Sequence, residues 1–322
     1  MRGSPVEVAL QAWNRATLAG LVLCALVAPL AWWAGGTSWV AVIVGTLLVP
    51  IAAVAALCAL LGGRHRWLTR AGVLATVLIP LVPLAGYWVP GSTSRHGTTA
   101  VPGAKNQATV VALNTLGSRA DPAALAQVSA TADVVVLAEV TPGSVEEYAR
   151  PLRMRIVWSG FDEAIESSTV ILARGGRVGD PRAVDGAGTP TGEVTVRGDR
   201  SDLRIIGTRL VNPAFQPPRL WDDGFGAIGA TVADGGPVVV VGDLNAPVTT
   251  VRYRRFVRDA GLRECTDELG LGAPGTWSPV INGDWAPLMI DHALTRDARC
   301  ESFDAPRIPG SDHRALIAVL TW

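Results

Sequence analysis

Two long runs without a charged residue constrain the fold of this chain more than any other feature. The first extends from Ala16 to Gly63 and the second from Ala71 to Ser94. A helix needs about 20 apolar residues to cross a bilayer, so the first run has room for two crossings and the second for one. Two glycines and two hydroxyl residues within Gly35–Trp39 favour a turn there. The sequence therefore predicts a membrane anchor of three transmembrane helices in residues 1–90.

Basic residues next to these runs predict the orientation of the anchor. Arg2 and Arg15 precede the first run, and Arg64, Arg66 and Arg70 separate it from the second. Cytoplasmic loops are enriched in Lys and Arg. We therefore expect a multi-pass protein of the plasma membrane, with a cytoplasmic N-terminus and an extracytoplasmic C-terminal part.

The rest of the chain is predicted to contain a linker and one domain. Residues 91–107 are rich in Gly, Pro and small polar residues, which is typical of a linker. Residues 108–322 alternate strand-like apolar runs with short helical stretches, a pattern of α/β proteins. The runs are "ATVVAL", "DVVVLAEV", "STVILA", "EVTVRG", "DLRIIGTRL", "PVVVVGDL", "LMIDHAL" and "ALIAVL". Continuously apolar strands indicate sheets that are covered on both faces.

The charge of this domain restricts the ligands that it can bind, and its cysteine content bears on the compartment in which it is found. After residue 90 the chain has a small excess of acidic over basic residues, which argues against a broad basic surface for nucleic acid. The basic segment Arg252–Arg258 is either a solvated helix face or a contact for a phosphate-rich ligand. Cys265 and Cys300 are the two cysteines of this part, and an oxidising compartment would allow a disulfide between them; two buried free thiols are the alternative.

Polar residues that could carry chemistry recur at the ends of the apolar runs. Loops at strand ends are where α/β proteins assemble their sites. Carboxylate oxygens suit Mg²⁺, and a carboxylate or an imidazole can move a proton or stabilise a phosphoryl oxygen. The residues are Asn114, Glu139, Asp243, Asn245, Asp291, Asp312 and His313. From their types alone we expect Glu139 to bind the metal, Asp243 to activate water and Asn245 to contact phosphate, with His313 paired to Asp291.

Five segments in this order carry a resemblance to a known family. They are "VVALNTLG", "DVVVLAEVTP", "VVVVGDLNAP", "TWSPVINGDWAPLMIDHAL" and "GSDHRALIAVL". Together they resemble the endonuclease/exonuclease/phosphatase superfamily of metal-dependent phosphoesterases, most of all its bacterial membrane-anchored branch. The resemblance implies a four-layer α/β sandwich, two packed mixed sheets flanked by helices. It also implies a Mg²⁺ or Mn²⁺ site with Glu139, Asn114 and Asp312, and a catalytic set of Asp243, Asn245, His313 and Asp291.

One position departs from the pattern of that family. Many relatives have a second catalytic histidine at the end of the strand before the "GDLN"-type motif, whereas this chain has Arg209 at the corresponding place. A guanidinium can bind a phosphoryl oxygen but is a poor proton donor, because it essentially never loses its proton. Arg209 is therefore expected to bind substrate.

These expectations lead to two functional hypotheses. The first is a membrane-anchored, extracytoplasmic, Mg²⁺- or Mn²⁺-dependent hydrolase that cleaves a phosphodiester or phosphomonoester by direct attack of water. Its substrate would be a nucleic acid, a nucleotide or a phospholipid or envelope phosphate, and no obligate protein partner is inferred. The second is a catalytically weak or inactive binding or scaffold module on the same fold, with Arg209 as its marker.

Overall fold

The computed structural model describes residues 89–90 and 106–322 of the chain. The three predicted transmembrane helices lie outside these residues, except for Val89 and Pro90 at their end. No helix in the part that the structure describes is long and apolar enough to cross a membrane. The first strand begins at Gln107, the last residue of the predicted linker.

Twelve strands in the described residues form two mixed sheets of six strands each. The first sheet contains β1 (Gln107–Asn114), β2 (Val134–Ala138), β3 (Arg155–Asp162), β4 (Ser167–Ala173), β11 (Arg299–Asp304) and β12 (Leu316–Thr321). The second contains β5 (Val178–Ala183), β6 (Gly192–Val196), β7 (Leu203–Arg209), β8 (Val238–Asp243), β9 (Arg263–Glu264) and β10 (Asp291–Arg296). Their orders are β11-β12-β1-β2-β4-β3 and β5-β6-β7-β8-β10-β9.

The two sheets pack face to face and helices cover their outer faces. Side chains from both sheets, such as Val136, Ile171, Ile205 and Val241, share one buried core. The helices are α1 (Pro122–Val128), α2 (Val145–Leu152), α3 (Pro218–Ala233), α4 (Val251–Asp259) and α5 (Cys265–Leu269), with a 3₁₀ turn at Pro142–Ser144. The first two pack on the first sheet and the next two on the second. The expected architecture of two packed mixed sheets with flanking helices is therefore confirmed.

The sequence explains how the central strands and the first helix form. All five residues of β2 are buried, as its unbroken apolar run "VVVLA" requires. Helix α1 begins where Asp121 accepts a hydrogen bond from the Ala123 amide, and Pro122 occupies its first turn. The basic segment Arg252–Arg258 forms most of α4, which buries Tyr253 and Phe256 against the second sheet. It is an amphipathic helix that packs on the domain.

A disulfide joins Cys265 of α5 to Cys300 of β11. Both residues are buried, and the bond connects the edges of the two sheets, because α5 follows β9 directly. The alternative of two free thiols does not apply to this structure. The bond closes a loop with a sequence separation of 35 residues.

We expect removal of this disulfide to destabilise the domain without changing its fold. Replacing both cysteines by alanine should lower the free energy of unfolding by about 3–4 kcal/mol, because a loop of this length then regains its freedom in the unfolded state. Urea unfolding of the full chain in detergent measures this. The matched control is Cys24→Ala with Cys58→Ala, which changes the two other cysteines of the chain, both in the first charge-free run. An unchanged unfolding midpoint in the Cys265→Ala, Cys300→Ala variant would contradict a structural role for the bond.

Candidate active site

The ends of strands from both sheets meet at one edge of the sandwich. In the first sheet, β1 and β2 are parallel, so Asn114 at the end of β1 lies beside the residues that follow β2. In the second sheet, β7 and β8 are parallel, and Arg209 is opposite Asp243. The antiparallel strand β10 begins at the same level, where Asp291 is opposite Asp243. Chain direction thus brings residues that are far apart in sequence to one place.

Asp243 lies at the centre of this group and is buried. Gly242 before it has φ +134°, and a side chain there would collide with the carbonyl oxygen of Thr208, which explains the glycine of the "GDLN" motif. Asp243 Oδ2 accepts a hydrogen bond of 3.0 Å from Asn114 Nδ2. Burial and the neighbouring Asp291 raise the pKa of Asp243 to about 6. A carboxylate with a pKa near neutrality is suited to accept a proton.

Asn245 holds Asp243 in position. Its backbone amide donates to Asp243 Oδ1 at 2.8 Å, and its side-chain Nδ2 donates to Asp243 Oδ2 at 3.2 Å. The same Nδ2 also donates to the carbonyl of Leu210 at 2.8 Å. Asn245 adopts a left-handed backbone conformation, φ +48°, which asparagine tolerates better than most residues. Within this structure Asn245 orients Asp243, and its contact with phosphate stays a prediction.

Glu139 follows β2 and points to the same edge. Its φ is +56°, a strained value for a residue with a long side chain, and such strain is concentrated at functional sites. Glu139 Oε1 accepts hydrogen bonds from Asn114 Nδ2 at 2.9 Å and from Arg209 Nη2 at 2.8 Å. The side-chain oxygen of Asn114 accepts from the amide of Leu116. The amide NH2 group of Asn114 therefore donates to Glu139 and Asp243 and orients both carboxylates. A contact of Asn114 with a metal stays a prediction.

His313 forms an ion pair with Asp291. Its Nδ1 is 2.9 Å from Asp291 Oδ2, and Nε2, the ring nitrogen on the other side, lies 3.9 Å from Asp312 Oδ1. Burial disfavours the charged imidazole, but the carboxylate of Asp291 and its hydrogen bond outweigh this effect, and the pKa of His313 is raised to about 10. A protonated imidazole at this position can donate to an anionic oxygen.

Asp312 and the loop that carries it complete the edge. Asp312 Oδ2 accepts from Trp277 Nε1 at 3.0 Å, whereas the buried Oδ1 has no hydrogen-bond partner among the described residues. Ser311 fixes this loop, because its hydroxyl donates to the carbonyl of Asn114 and accepts from the amide of His313. Thr276 similarly accepts from the amide of Asp291. Sequence reasoning missed both hydroxyl residues; Ser311 could have been found from the serine that precedes the Asp-His pair, but Thr276 has no comparable signal.

A cleft of about 470 Å³ lies at this edge of the sandwich. Its floor holds the polar residues Glu139, Arg209, Asp243, Asn245, Asp312 and His313. The sequence matches the Endonuclease/Exonuclease/phosphatase family model over residues 111–313, a span that includes each of these residues. The chain belongs to the endonuclease/exonuclease/phosphatase family. Members of this family are metal-dependent hydrolases of phosphoester bonds.

Solved structures share the fold of this family member at low sequence identity. Humanized D. rerio TDP2 has a TM-score of 0.54 and 17% identity, with 66% of this chain and 98% of that chain covered. For the mannosyl-6-phosphatase of Bacteroides thetaiotaomicron VPI-5482 the values are 0.53, 13%, 67% and 100%. For the inositol polyphosphate 5-phosphatase domain of SPsynaptojanin they are 0.50, 13%, 67% and 84%. No curated protein matches the sequence.

The donor atoms of this endonuclease/exonuclease/phosphatase site fit a hard divalent cation. Asp312 Oδ1 is a buried carboxylate oxygen without a hydrogen bond, and Glu139 offers a second carboxylate nearby in the cleft. Ligand atoms of Asp243, Asp291 and His313 also lie within 4.8 Å of one another and could hold a metal ion. A cation at this second group has to displace the proton of His313, which favours Glu139 and Asp312 as the ligands, although His313 Nε2 also lies 3.9 Å from Asp312 Oδ1.

The ion pair predicts how His313 responds when its partner loses its charge. In metal-free Asp291→Asn, we expect the pKa of His313 to fall clearly from about 10, because burial is then opposed only by the more distant carboxylates of Asp243 and Asp312. Titration of the histidine Cε1–H signals by NMR measures this pKa, with His313→Gln to assign the signal. Asp185→Asn, an exposed aspartate on a loop, is the matched control. A His313 pKa that stays near 10 in Asp291→Asn would refute the ion pair as its cause.

Proposed function

We propose that this protein is a membrane-anchored, extracytoplasmic phosphoesterase that uses Mg²⁺ or Mn²⁺ to hydrolyse a phosphodiester or phosphomonoester by direct attack of water. The observation that carries the proposal is that one cleft contains both a carboxyl group that can accept a proton and an imidazole that can donate one. The carboxyl group is Asp243, with a pKa of about 6, and the imidazole is His313, with a pKa of about 10. Two titratable groups with pKa values pushed apart are typical of an acid and a base that act together.

Asp243 takes the role of the base in this mechanism. It orients the attacking water and accepts its proton as the water oxygen bonds to phosphorus and the bond to the leaving oxygen breaks. The amide groups of Asn114 and Asn245 hold both carboxylate oxygens of Asp243 in place. A base that is fixed before substrate arrives lowers the entropy lost in the transition state.

His313 and Arg209 stabilise the negative charge that develops on the phosphoryl oxygens. His313 is held through Nδ1 by Asp291, so its Nε2–H can donate into the cleft. Arg209 Nε is buried without an acceptor in the described residues, which is expected of a group that binds an anionic ligand. Glu139 and Asp312 would hold the metal ion, which when bound would supply further positive charge next to the phosphate.

The membrane part of the proposal is supported by the sequence of residues 1–90. The charge-free runs have the length of three crossings, and the basic residues around them favour a cytoplasmic N-terminus. The disulfide between Cys265 and Cys300 suits an extracytoplasmic domain, since disulfides persist in oxidising compartments.

Metal-dependent turnover is the direct test of this function. The purified full chain in detergent is assayed with bis-p-nitrophenyl phosphate, p-nitrophenyl phosphate, DNA and phospholipids, each with Mg²⁺, Mn²⁺ or EDTA. We expect hydrolysis of at least one substrate with metal and none with EDTA. Folded protein that binds Mn²⁺ but hydrolyses none of these substrates would overturn the proposal.

One observation favours the second candidate, a binding or scaffold module. The Arg209 guanidinium is paired with Glu139 at 2.8 Å and so neutralises the carboxylate expected to bind the metal. If this pair persists, metal binding is weak and turnover is low. Arg209→His separates the two candidates, because it removes the fixed cation. Activity that appears only in Arg209→His would support the non-catalytic module, whereas activity in the native chain that decreases in Arg209→His would support the enzyme.

A further inference from the structure

We propose that His292 is a positioning residue, which holds the turn that carries Asp243 from the outer face of the second sheet. It donates to the carbonyl of Ala246 in this turn, and Glu264 and Tyr253 hold its imidazole in place. The inference rests on the proposed function, since it assigns the residue that fixes the proposed base. His292 is fully buried and does not line the cleft, so it acts only through the turn.

His292 and Asp291 point to opposite faces of the second sheet. They are neighbours in β10, and successive side chains of a strand alternate between its two faces. Ala293 lies on the face of Asp291 and belongs to the core between the two sheets. Leu294 lies on the face of His292 and packs with the helices that cover this sheet. The ring of His292 accordingly stacks on Tyr253 of α4, with 4.4 Å between the ring centroids.

Both ring nitrogens of His292 are bonded. Nε2 is 2.8 Å from the carbonyl oxygen of Ala246, which can only accept a hydrogen bond, so Nε2 carries a hydrogen and donates it. Nδ1 is 2.7 Å from Glu264 Oε2, and the same oxygen accepts a hydrogen bond from the Tyr253 hydroxyl. Bonds on two sides and the stacked tyrosine therefore hold the ring in one orientation.

The Ala246 carbonyl belongs to the turn that holds the proposed base. Asn245, the residue before it, has a left-handed backbone and donates to Asp243 through both its backbone amide and its side-chain amide. A residue other than glycine keeps such a conformation only where the surrounding structure holds it. Without the bond from His292 to Ala246, Asn245 and with it Asp243 would be less firmly placed.

The pair of His292 and Glu264 is not explained by stability alone. Both side chains are buried, and Glu264 Oε1 has no hydrogen-bond partner in the described part of the chain. Apolar side chains of similar volume can often replace a buried polar pair with little loss of stability. Because this pair lies directly behind the turn of Asp243, its role is geometric: it fixes the direction in which the Ala246 carbonyl points.

Two amides that replace different parts of the imidazole test the inference. In His292→Gln the side-chain NH2 takes the place of Nε2 and can still donate to Ala246. In His292→Asn the NH2 takes the place of Nδ1 and is too short to reach that carbonyl. Both variants lose the ring and its stacking on Tyr253. A histidine that only fills space would respond alike to the two changes, whereas glutamine restores the function of a positioning histidine.

Turnover of the full chain in detergent is measured with Mn²⁺ and whichever of bis-p-nitrophenyl phosphate and p-nitrophenyl phosphate the native chain hydrolyses. We expect kcat of His292→Asn to be about 10–100-fold below native, the loss typical of a residue that orients a functional group. KM should stay within about twofold, since His292 does not contact substrate. His292→Gln should keep kcat within about fivefold of native. Equal kcat in the two variants, or native kcat in His292→Asn, would overturn the inference.

Trp322→Phe is the matched control for turnover. It removes another bond from a ring N–H to a carbonyl, that of Trp322 Nε1 to Ser201 at 2.8 Å. This bond lies at the opposite end of the sandwich, because β1 begins beside Thr321 and ends at Asn114 in the site. We expect Trp322→Phe to keep the native kcat even where it lowers stability.

Hydrogen exchange of the Asn245 backbone amide tests the inference without turnover. This amide donates to Asp243 Oδ1 at 2.8 Å and so reports on the turn. In the metal-free chain we expect it to exchange at least about tenfold faster in His292→Asn than in the native chain, and within about threefold in His292→Gln. The amide of Val136 in the buried strand β2 reports global unfolding and should exchange alike in both variants.

The exchange measurement separates the inference from the proposed function. If the native chain hydrolyses neither ester, the proposed function fails, and exchange at Asn245 still decides whether His292 holds the turn. Equal exchange at Asn245 in the two variants would overturn the inference and leave the phosphoesterase function intact.

Tyr253→Phe replaces His292→Asn if the latter does not fold. It removes only the hydroxyl that bonds Glu264 Oε2 and keeps the aromatic ring. We expect kcat to fall and exchange at Asn245 to rise by about threefold each, with KM unchanged, because one of the two bonds that hold Glu264 is lost. Native values of both kcat and exchange would overturn the inference.

Discussion

Asp243→Asn is expected to lower kcat for any substrate of this protein by about 10²–10⁴-fold, the range that a lost general base accounts for. The amide keeps the size of the carboxylate but cannot accept the proton of the attacking water. Asparagine can keep the hydrogen bonds that Oδ2 accepts from Asn114 and Asn245, but its NH2 group then faces the backbone N–H of Asn245, so the folding of the variant has to be checked. The measurement is kcat at saturating Mn²⁺, with circular dichroism to confirm folding.

The control for this variant is Asp185→Asn, which changes an exposed aspartate and should leave kcat unchanged. The pH dependence of turnover in the native chain is a second test of Asp243 as the base. Because the pKa of Asp243 is raised to about 6 in the metal-free protein, its protonated form persists to a higher pH than an ordinary aspartate and cannot act as a base. Turnover in Asp243→Asn within about tenfold of the native rate would exclude Asp243 as the base.

Glu139→Gln is expected to weaken Mn²⁺ binding by about 100-fold or more, since even residues that only support a metal ligand change affinity by 10–100-fold. The amide of glutamine is a poorer ligand than a carboxylate, and the change leaves Arg209 without its 2.8 Å partner. A free guanidinium in the cleft would then repel the cation. Isothermal titration of the full chain with Mn²⁺ measures the affinity, and activity at low metal concentration should fall with it.

Glu163→Gln is the matched control, because Glu163 lines an adjacent pocket together with Glu139 but lies on an exposed loop. Equal weakening in both variants would indicate a general loss of negative charge instead of a lost ligand. Native affinity in Glu139→Gln would assign the metal to the group of Asp243, Asp291 and His313 and contradict the ligand set proposed above.

The strands that sequence reasoning missed share a physical property. Eight apolar runs were recognised, and the structure has four further strands in the described residues: β3, β5, β9 and β11. All four lie at a sheet edge next to a single neighbour: β3 and β11 in the first sheet, and β5 and β9 in the second. Strands β3, β5 and β11 are largely exposed, so they need no continuous apolar run. Strand β9 has two residues, too few for a pattern.

The sequence alone determined the central strands, the types of residue at the ends of these strands, and the family. Burial on both faces requires unbroken apolar runs such as Val134–Ala138, and a polar residue directly after such a run is conspicuous in the sequence. Glu139, Asp243 and Asp291 follow such runs and His313 comes just before one, so all four are evident from the sequence. The cap of α1 at Asp121 is likewise a local feature, because capping depends only on adjacent residues.

Only the tertiary structure decided which of these groups touch. The ion pair of Arg209 with Glu139, the disulfide of Cys265 with Cys300 and the exposed Phe215 beside the cleft depend on contacts between segments far apart in the chain. Strand order and direction determine such contacts, and the hydrophobic periodicity of a single strand predicts neither of them. Hydropathy predicts which strands are buried, whereas the meeting of the two sheets at one edge places Asp243, His313 and Arg209 in one cleft.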